Sequence, residues 1–121
     1  MIDLCALRVL LRDLQQVEDH MKKEVGLTFT EASTLCAIEK GNDAPAAIAA
    51  AMGLSPSRAS RLIMSLENKG MLIRCPSMDD KRVVNLGLTA KGKNVLDKFH
   101  HCDTCLPRYI EEALIKGQEN E

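Results

Sequence analysis

Arg58 and Arg61 stand three residues apart and alternate with Ser57 and Ser60 in the run Gly53-Leu54-Ser55-Pro56-Ser57-Arg58-Ala59-Ser60-Arg61. A second basic pair, Lys81-Arg82, follows Asp79-Asp80 and precedes an alternating segment. Arginine can donate two hydrogen bonds to a guanine edge, and serine can bond to a base or a phosphate. A basic hairpin tip can lie along a phosphate backbone or reach into a minor groove, where arginine gains from the negative potential. The chemistry these residues offer is recognition of duplex DNA, and the expected protein is not an enzyme.

A third group is His100-His101-Cys102-Asp103-Thr104-Cys105. On a helix, Cys102 falls on the stripe of Val95, Phe99 and Leu106, with His101 and Cys105 on its shoulder. His101, Cys102 and Cys105 could then converge as part of a zinc or copper site. The alternative is a set of structural cysteines beside exposed histidines. One CxxC without a second pair is a weak metal signature. It also lacks the βαβ pattern of a thiol redox enzyme. The expectation is no cofactor and no resident metal, with a metal or oxidant sensor as the rival reading. Cys36 and Cys75 read as core or strand residues.

The elements that must carry these groups follow from periodicity and punctuation. Residues 3 to about 24 read as a helix with Leu7, Leu10, Leu14, Val17 and Met21 at spacings of three and four. That stripe could face the chain's own core or a partner helix. Gly26 ends it, and Thr28-Phe29-Thr30-Glu31 has the spacing of a capping box for a helix through about Glu39, with Leu35 and Ile38 inward. Asp43 can cap a short alanine-rich helix from Ala44 to Met52, with Pro45 in its first turn. Gly53 supplies the turn, Ser55 caps the next helix with Pro56 at its first position, and Gly70 stops it after Lys69. Met71 to Cys75 and Val83 to Leu88 read as strands around a turn. Thr89 caps a final helical region that Pro107 interrupts.

On a wheel of about 100° per residue, Ala59, Leu62, Ile63 and Leu66 share one face of helix 55–69. Ser57, Ser60, Arg61 and Met64 centre on the opposite face, with Arg58 and Ser65 at its shoulders. The preceding Ile48-Ala49 and Gly53-Leu54 stand at the spacings of a helix-turn-helix, where Ala49 permits close crossing.

Composition sets the frame. The chain has 121 residues, 45% hydrophobic and 2% aromatic, so Leu, Ile, Val, Ala and Met must fill the core. No apolar stretch approaches the roughly 18 residues of a membrane span, and the start lacks a basic signal region. Five cysteines, an odd number without an export signal, argue against a disulfide scaffold. A cytoplasmic protein with no membrane partner is expected. The net charge of −1 hides an asymmetry: residues 55 to 98 hold nine basic and four acidic side chains. A basic segment in an acidic chain is a local electrostatic footprint for phosphate.

From about Leu27 to Gly92 the chain resembles the MarR family of winged helix-turn-helix transcriptional regulators. The resemblance is carried by Leu54 through Arg74 and by Asp80-Lys81-Arg82-Val83-Val84-Asn85-Leu86-Gly87-Leu88-Thr89-Ala90-Lys91-Gly92. The second segment matches the family's wing pattern: an acid, two basic residues, an alternating strand, then Leu-Thr-x-x-Gly. The resemblance implies that Asp80 orients Arg82 through an ion pair. It also implies a homodimer built from the first helix and the C-terminal helices, and a packing of first against last helix that would let Cys5 or His20 serve as a fourth ligand beside His101, Cys102 and Cys105. Ala44 and Ala46 depart from the family, replacing polar residues often found there, and the chain is short at both ends.

The expected fold is mainly α with a small two-stranded β-wing, one winged-helix domain over 1–121. Residues 27–92 form the DNA-binding core, and 1–25 and 93–121 the dimerisation helices. The expected function is sequence-specific double-stranded DNA binding as a homodimer. Helix 55–69 enters the major groove, and wing 76–83 lies on the backbone or minor groove. The assigned contacts are Ser55, Ser57, Arg58, Ser60, Arg61, Asp80, Lys81 and Arg82. A cleft between the dimer and DNA-binding parts leaves room for a small-molecule effector. The rival class is a winged-helix protein-interaction module without specific DNA binding.

Overall fold

A computed structural model of the chain describes residues 1–77, 79, 83–100 and 107–119, the last four of these for their backbone only. Six helices and a two-stranded sheet follow the expected order: α1 (Leu4–Val25), α2 (Phe29–Glu39), α3 (Pro45–Met52), α4 (Pro56–Asn68), β1 (Leu72–Pro76), β2 (Val84–Leu88), α5 (Ala90–His100) and α6 (Arg108–Glu119). None of the described helices is long and apolar enough to cross a membrane.

Local chemistry sets most boundaries. Asp3 caps α1 by accepting from the amides of Cys5 and Ala6 at 2.9 and 3.2 Å. The capping box of α2 is complete. The Glu31 amide donates to Thr28 Oγ1 and the Thr28 amide to Glu31 Oε1, both at 3.1 Å. Ser55 Oγ caps α4 by accepting from the Arg58 amide at 3.3 Å, with Pro56 in the first turn. Between α3 and α4, Gly53 has φ of +66°, in the left-handed region that a side chain would resist.

One expected cap is absent. The residue capping α3 is Ala44, with no side-chain hydrogen bond, rather than Asp43. Asp43 is engaged by the sheet instead. Its carbonyl accepts from the Leu86 amide at 2.6 Å, joining the α2–α3 turn to β2. The proline in the first turn leaves one donor fewer to cap.

The core lies where α2, α3, α4, α5 and the hairpin meet. Leu27, Leu35, Ile48, Ile63, Leu66 and Leu96 are fully or almost fully buried, with Met71, Leu72 and Leu86 closing it from the sheet. The hairpin is antiparallel, pairing Leu72 with Leu88 through to Pro76 with Val84. It is zipped one step further by the Ser77 amide donating to the Val83 carbonyl at 2.8 Å. Cys36 packs against the core, whereas Cys75 is exposed on β1 because its strand has one open face.

The stripe on α1 has a different fate. No residue of α1 is fully buried, and Leu7 and Leu14 remain 41% and 42% exposed. Leu10, Val17 and Met21 are half-buried, and α1 rests on α2 and α5. Tyr109 of α6 donates its hydroxyl to Asp13 Oδ2 at 2.7 Å, which ties α6 to α1 and raises the phenol's pKa. Leu114 and Ile115 of α6 are exposed beside it in sequence.

Candidate nucleic-acid interface

Helix α4 separates its faces as the wheel requires. Ala59, Ile63 and Leu66 are buried and Leu62 packs against the core. Ser57, Arg58, Ser60, Arg61 and Met64 are exposed. Burying an aliphatic side chain is worth roughly 1.5–3 kcal/mol, so the three or four inward residues fix the rotation of the helix about its axis. The outward position of the serines and arginines follows from that rotation.

The outward groups are uncommitted. Among the described residues neither Arg58 nor Arg61 is in an ion pair. Arg61 Nε reaches the Ser57 carbonyl at only 3.5 Å, a marginal hydrogen bond. Ser55 and Ser57 exchange a hydroxyl contact at 3.3 Å at the helix entrance. The first turn of α4 carries no acidic residue. The Ser57 amide, the one N–H of that turn not already bonded to Ser55, the positive end of the helix dipole and two open guanidinium groups all favour a phosphate-bearing partner.

Several basic residues counted in the sequence as part of one footprint are engaged inside the fold. Lys69 Nζ lies 2.6 Å from Glu31 Oε2, a carboxylate whose side chain is only 10% exposed. Burial alone would raise the Glu31 pKa. The hydrogen bond from Lys69, the Thr28 amide and the Lys69 charge outweigh it and hold the carboxyl below its ordinary value. Arg74 Nε pairs with Glu67 Oε1 at 3.3 Å, and Lys91 Nζ donates to the Lys69 carbonyl at 2.8 Å. On α4 itself, Arg58 and Arg61 are the basic groups, and neither is in an ion pair among the described residues. No sequence spacing marks the Glu31–Lys69 pair, which spans 38 residues.

Asp80, Lys81 and Arg82, assigned to the wing, lie outside the described residues. So do His101, Cys102 and Cys105 of the Cys/His cluster. Cys5, named as a further ligand, is exposed near the start of α1.

A cavity of about 270 Å³ opens beside α4, lined by Pro45, Ala46, Ala49, Pro56, Ser60, Ile63 and Arg74. It lies between α3, α4 and β1 rather than between the DNA-binding part and the flanking helices. Pro45 and Ala46, which carry no charge or hydroxyl, form its rim at the first turn of α3.

Residues 25–83 match the model of the MarR family. No curated protein matches the chain. Solved structures with the same fold include a mutant of MepR from S. aureus, 21% identical, with a TM-score of 0.76 over 99% of this chain and 89% of that one. A MepR-like protein complexed with pseudoligands is 21% identical, with a TM-score of 0.73 over 97% and 89%. The S. aureus MepR–DNA complex is 21% identical, with a TM-score of 0.65 over 95% and 90%. At such identities the likeness is one of fold, and it runs through the helices on both sides of the matched segment. Residues 25–83, the helix-turn-helix and first wing strand, thus belong to the MarR family, and the helices around them share the winged-helix fold of the solved MepR and MarR structures.

Proposed function

We propose that the protein is a sequence-specific double-stranded DNA-binding transcriptional regulator that acts as a homodimer and catalyses no reaction. Helix α4 enters the major groove, where Ser57, Ser60, Arg61 and Arg58 contact bases and phosphates and Ser55 sits at the helix entrance. The wing, through Lys81 and Arg82 with Asp80 aiming the arginine, lies on the flanking backbone or minor groove. The observation that carries this reading is the outward face of α4. Two arginines and two serines are exposed there without ion-pair partners among the described residues, while the opposite face is buried.

The exposed apolar residues of α1 and α6 support the homodimer. Leu4, Leu7, Leu11 and Leu14 on α1 and Leu114 and Ile115 on α6 all face solvent in the single chain. Two helices that each leave this much apolar side chain in water favour burial against a second copy. A twofold dimer would present two copies of α4 about one DNA turn apart, on a pseudopalindromic site. A small-molecule effector fits the same reading. The cavity beside Ser60 and Arg74, at about 270 Å³, is near the small end of ligand pockets and adjoins the reading helix itself.

Selection of bound duplexes from a random DNA pool tests the proposal. Recovery of a pseudopalindrome with half-sites roughly ten base pairs apart is the expected result. Failure to enrich any sequence, with an affinity for duplex DNA that barely changes with salt, would favour the protein-interaction module instead.

A further inference from the structure

The polar ties of α4 to the rest of the fold are gathered at one end. Beyond Leu66 the helix meets three groups from other parts of the chain. Glu31 of α2 holds Lys69 Nζ at 2.6 Å. Lys91 of α5 donates through Nζ to the Lys69 carbonyl at 2.8 Å. Thr89, just before α5, donates its hydroxyl to the Gly70 carbonyl at 2.6 Å. The last carbonyls of a helix have no partners within it and carry its negative dipole end, so an ammonium and a hydroxyl there satisfy both needs.

The same few residues bring α5 into close register. Thr89 Oγ1 also accepts from the Gly92 amide at 3.0 Å, capping α5. A Cβ on Gly92 would overlap the Met71 carbonyl oxygen, so α5 passes the link between α4 and β1 at backbone distance. The Leu-Thr-x-x-Gly segment is thereby explained: threonine bonds in both directions and glycine admits the neighbouring backbone.

The reading end of α4 is different. Hydrogen bonds of Ser55, Ser57, Arg58 and Arg61 among the described residues stay within the helix and its cap. We propose that Lys69, with Glu31 and Lys91, is a positioning residue for DNA reading: it clamps the far end of α4 to α2 and α5 and so sets the angle at which Ser57 and Arg61 are presented. The role rests on the DNA-binding reading above. A helix of 13 residues is about 20 Å long, so a turn of about 10° at the clamp moves the first turn by about 3 Å. Hydrogen bonds tolerate only a few tenths of an ångström. Packing of Ala59 and Ile63 fixes how close α4 lies to α3; the clamp fixes its tilt.

The experiment pairs hydrogen exchange with DNA binding in the full chain. The variants are Lys69→Met, Lys91→Met and the conservative Lys69→Arg. The probes are the duplex selected by the wild-type protein and a scrambled duplex of equal length. The amides of Lys69, Gly70 and Met71, bonded to Ser65, Glu67 and Leu66 carbonyls, report the clamp. Both methionine variants should exchange faster there while the Leu35 and Ile38 amides keep their protection. The affinity ratio between selected and scrambled duplexes should fall about 5- to 150-fold, the worth of one well-placed base contact. Salt dependence should be unchanged, and Lys69→Arg should recover most of the ratio. Equal losses on both duplexes with a shallower salt slope would make Lys69 a phosphate contact and overturn the proposal. Unchanged exchange at 69–71 overturns the clamp whatever the DNA result. A wild-type chain that selects no duplex overturns the DNA reading, and the positioning role with it, even where exchange at 69–71 responds.

Discussion

Helices α1 and α4 are written in the same idiom and are used in opposite ways. Each has an apolar stripe at spacings of three and four and a polar face. In α4 the stripe is spent on the chain's own core, with Ala59, Ile63 and Leu66 buried. In α1 nothing is fully buried, and Leu7 and Leu14 stay exposed. On the proposed reading the polar face of α4 is the one turned to DNA, whereas in α1 it is the apolar face that stays open to a partner. An amphipathic pattern shows that a helix has a face to cover, and only the neighbours show whether this chain covers it.

The sharpest break in that comparison is between Leu66→Ala and Leu7→Ala. Leu66 is fully buried, and its truncation should cost about 2–5 kcal/mol in denaturant unfolding, at every protein concentration. Leu7→Ala should leave the folding of the single chain nearly untouched and instead weaken self-association, read by sedimentation as a shift toward monomer on dilution. If Leu7→Ala destabilised as much as Leu66→Ala without any concentration dependence, the contrast would be wrong.

On the polar side, Arg61→Ala should cost about 1–3 kcal/mol in binding to a selected duplex, and less on a scrambled one, as read by titration at fixed salt. An equal loss on both would reduce Arg61 to a phosphate contact. Between the two faces lies the turn that aims them. Gly53→Ala meets open space but must hold a φ of +66°, so it should destabilise by about 1–2 kcal/mol in thermal unfolding. Gly92→Ala is the opposite case, failing on space because the added methyl overlaps the Met71 carbonyl oxygen.

The smallest effect concerns acid. The folded-state pKa of Glu31 lies below its ordinary value of 4.5, so its pairing with Lys69 adds stability above that value. The contribution is lost as pH falls through the lowered pKa. Wild type and Glu31→Gln, compared by unfolding between about pH 3 and 6, should differ most at the upper end and converge at the lower. Glutamine can still serve the capping box, so the charge is tested apart from the cap.

Much of the fold was legible because its signals are local. Capping boxes, a proline in a first turn, glycine stops and alternating strands act over three or four residues. Thr28-Glu31, Ser55-Pro56 and Gly53 do in the structure what their spacing predicts. Cys36 against the core and Cys75 on β1 fit their reading as core or strand residues. Asp43 does not cap α3, whose N-cap position is taken by Ala44; its carbonyl accepts from Leu86, more than 40 residues away. The charge count overreached for the same kind of reason. Lys69, Arg74 and Lys91 look like the other basic residues in sequence but are occupied by Glu31, Glu67 and a helix-end carbonyl.

The sequence alone determined which way α4 faces. The apolar residues Ala59, Leu62, Ile63 and Leu66 outweigh any other claim on its rotation, so Ser57, Ser60 and Arg61 had one direction left. Tertiary structure alone decided which cations were free and how the far end of the helix was held. The Glu31–Lys69 pair and the bond from Lys91 to the Lys69 carbonyl join residues 38 and 22 positions apart, and no periodicity in a chain records such distances. It also decided that the stripe of α1 would be only partly covered, because the core closes over α2 to α5 and the hairpin without fully enclosing α1.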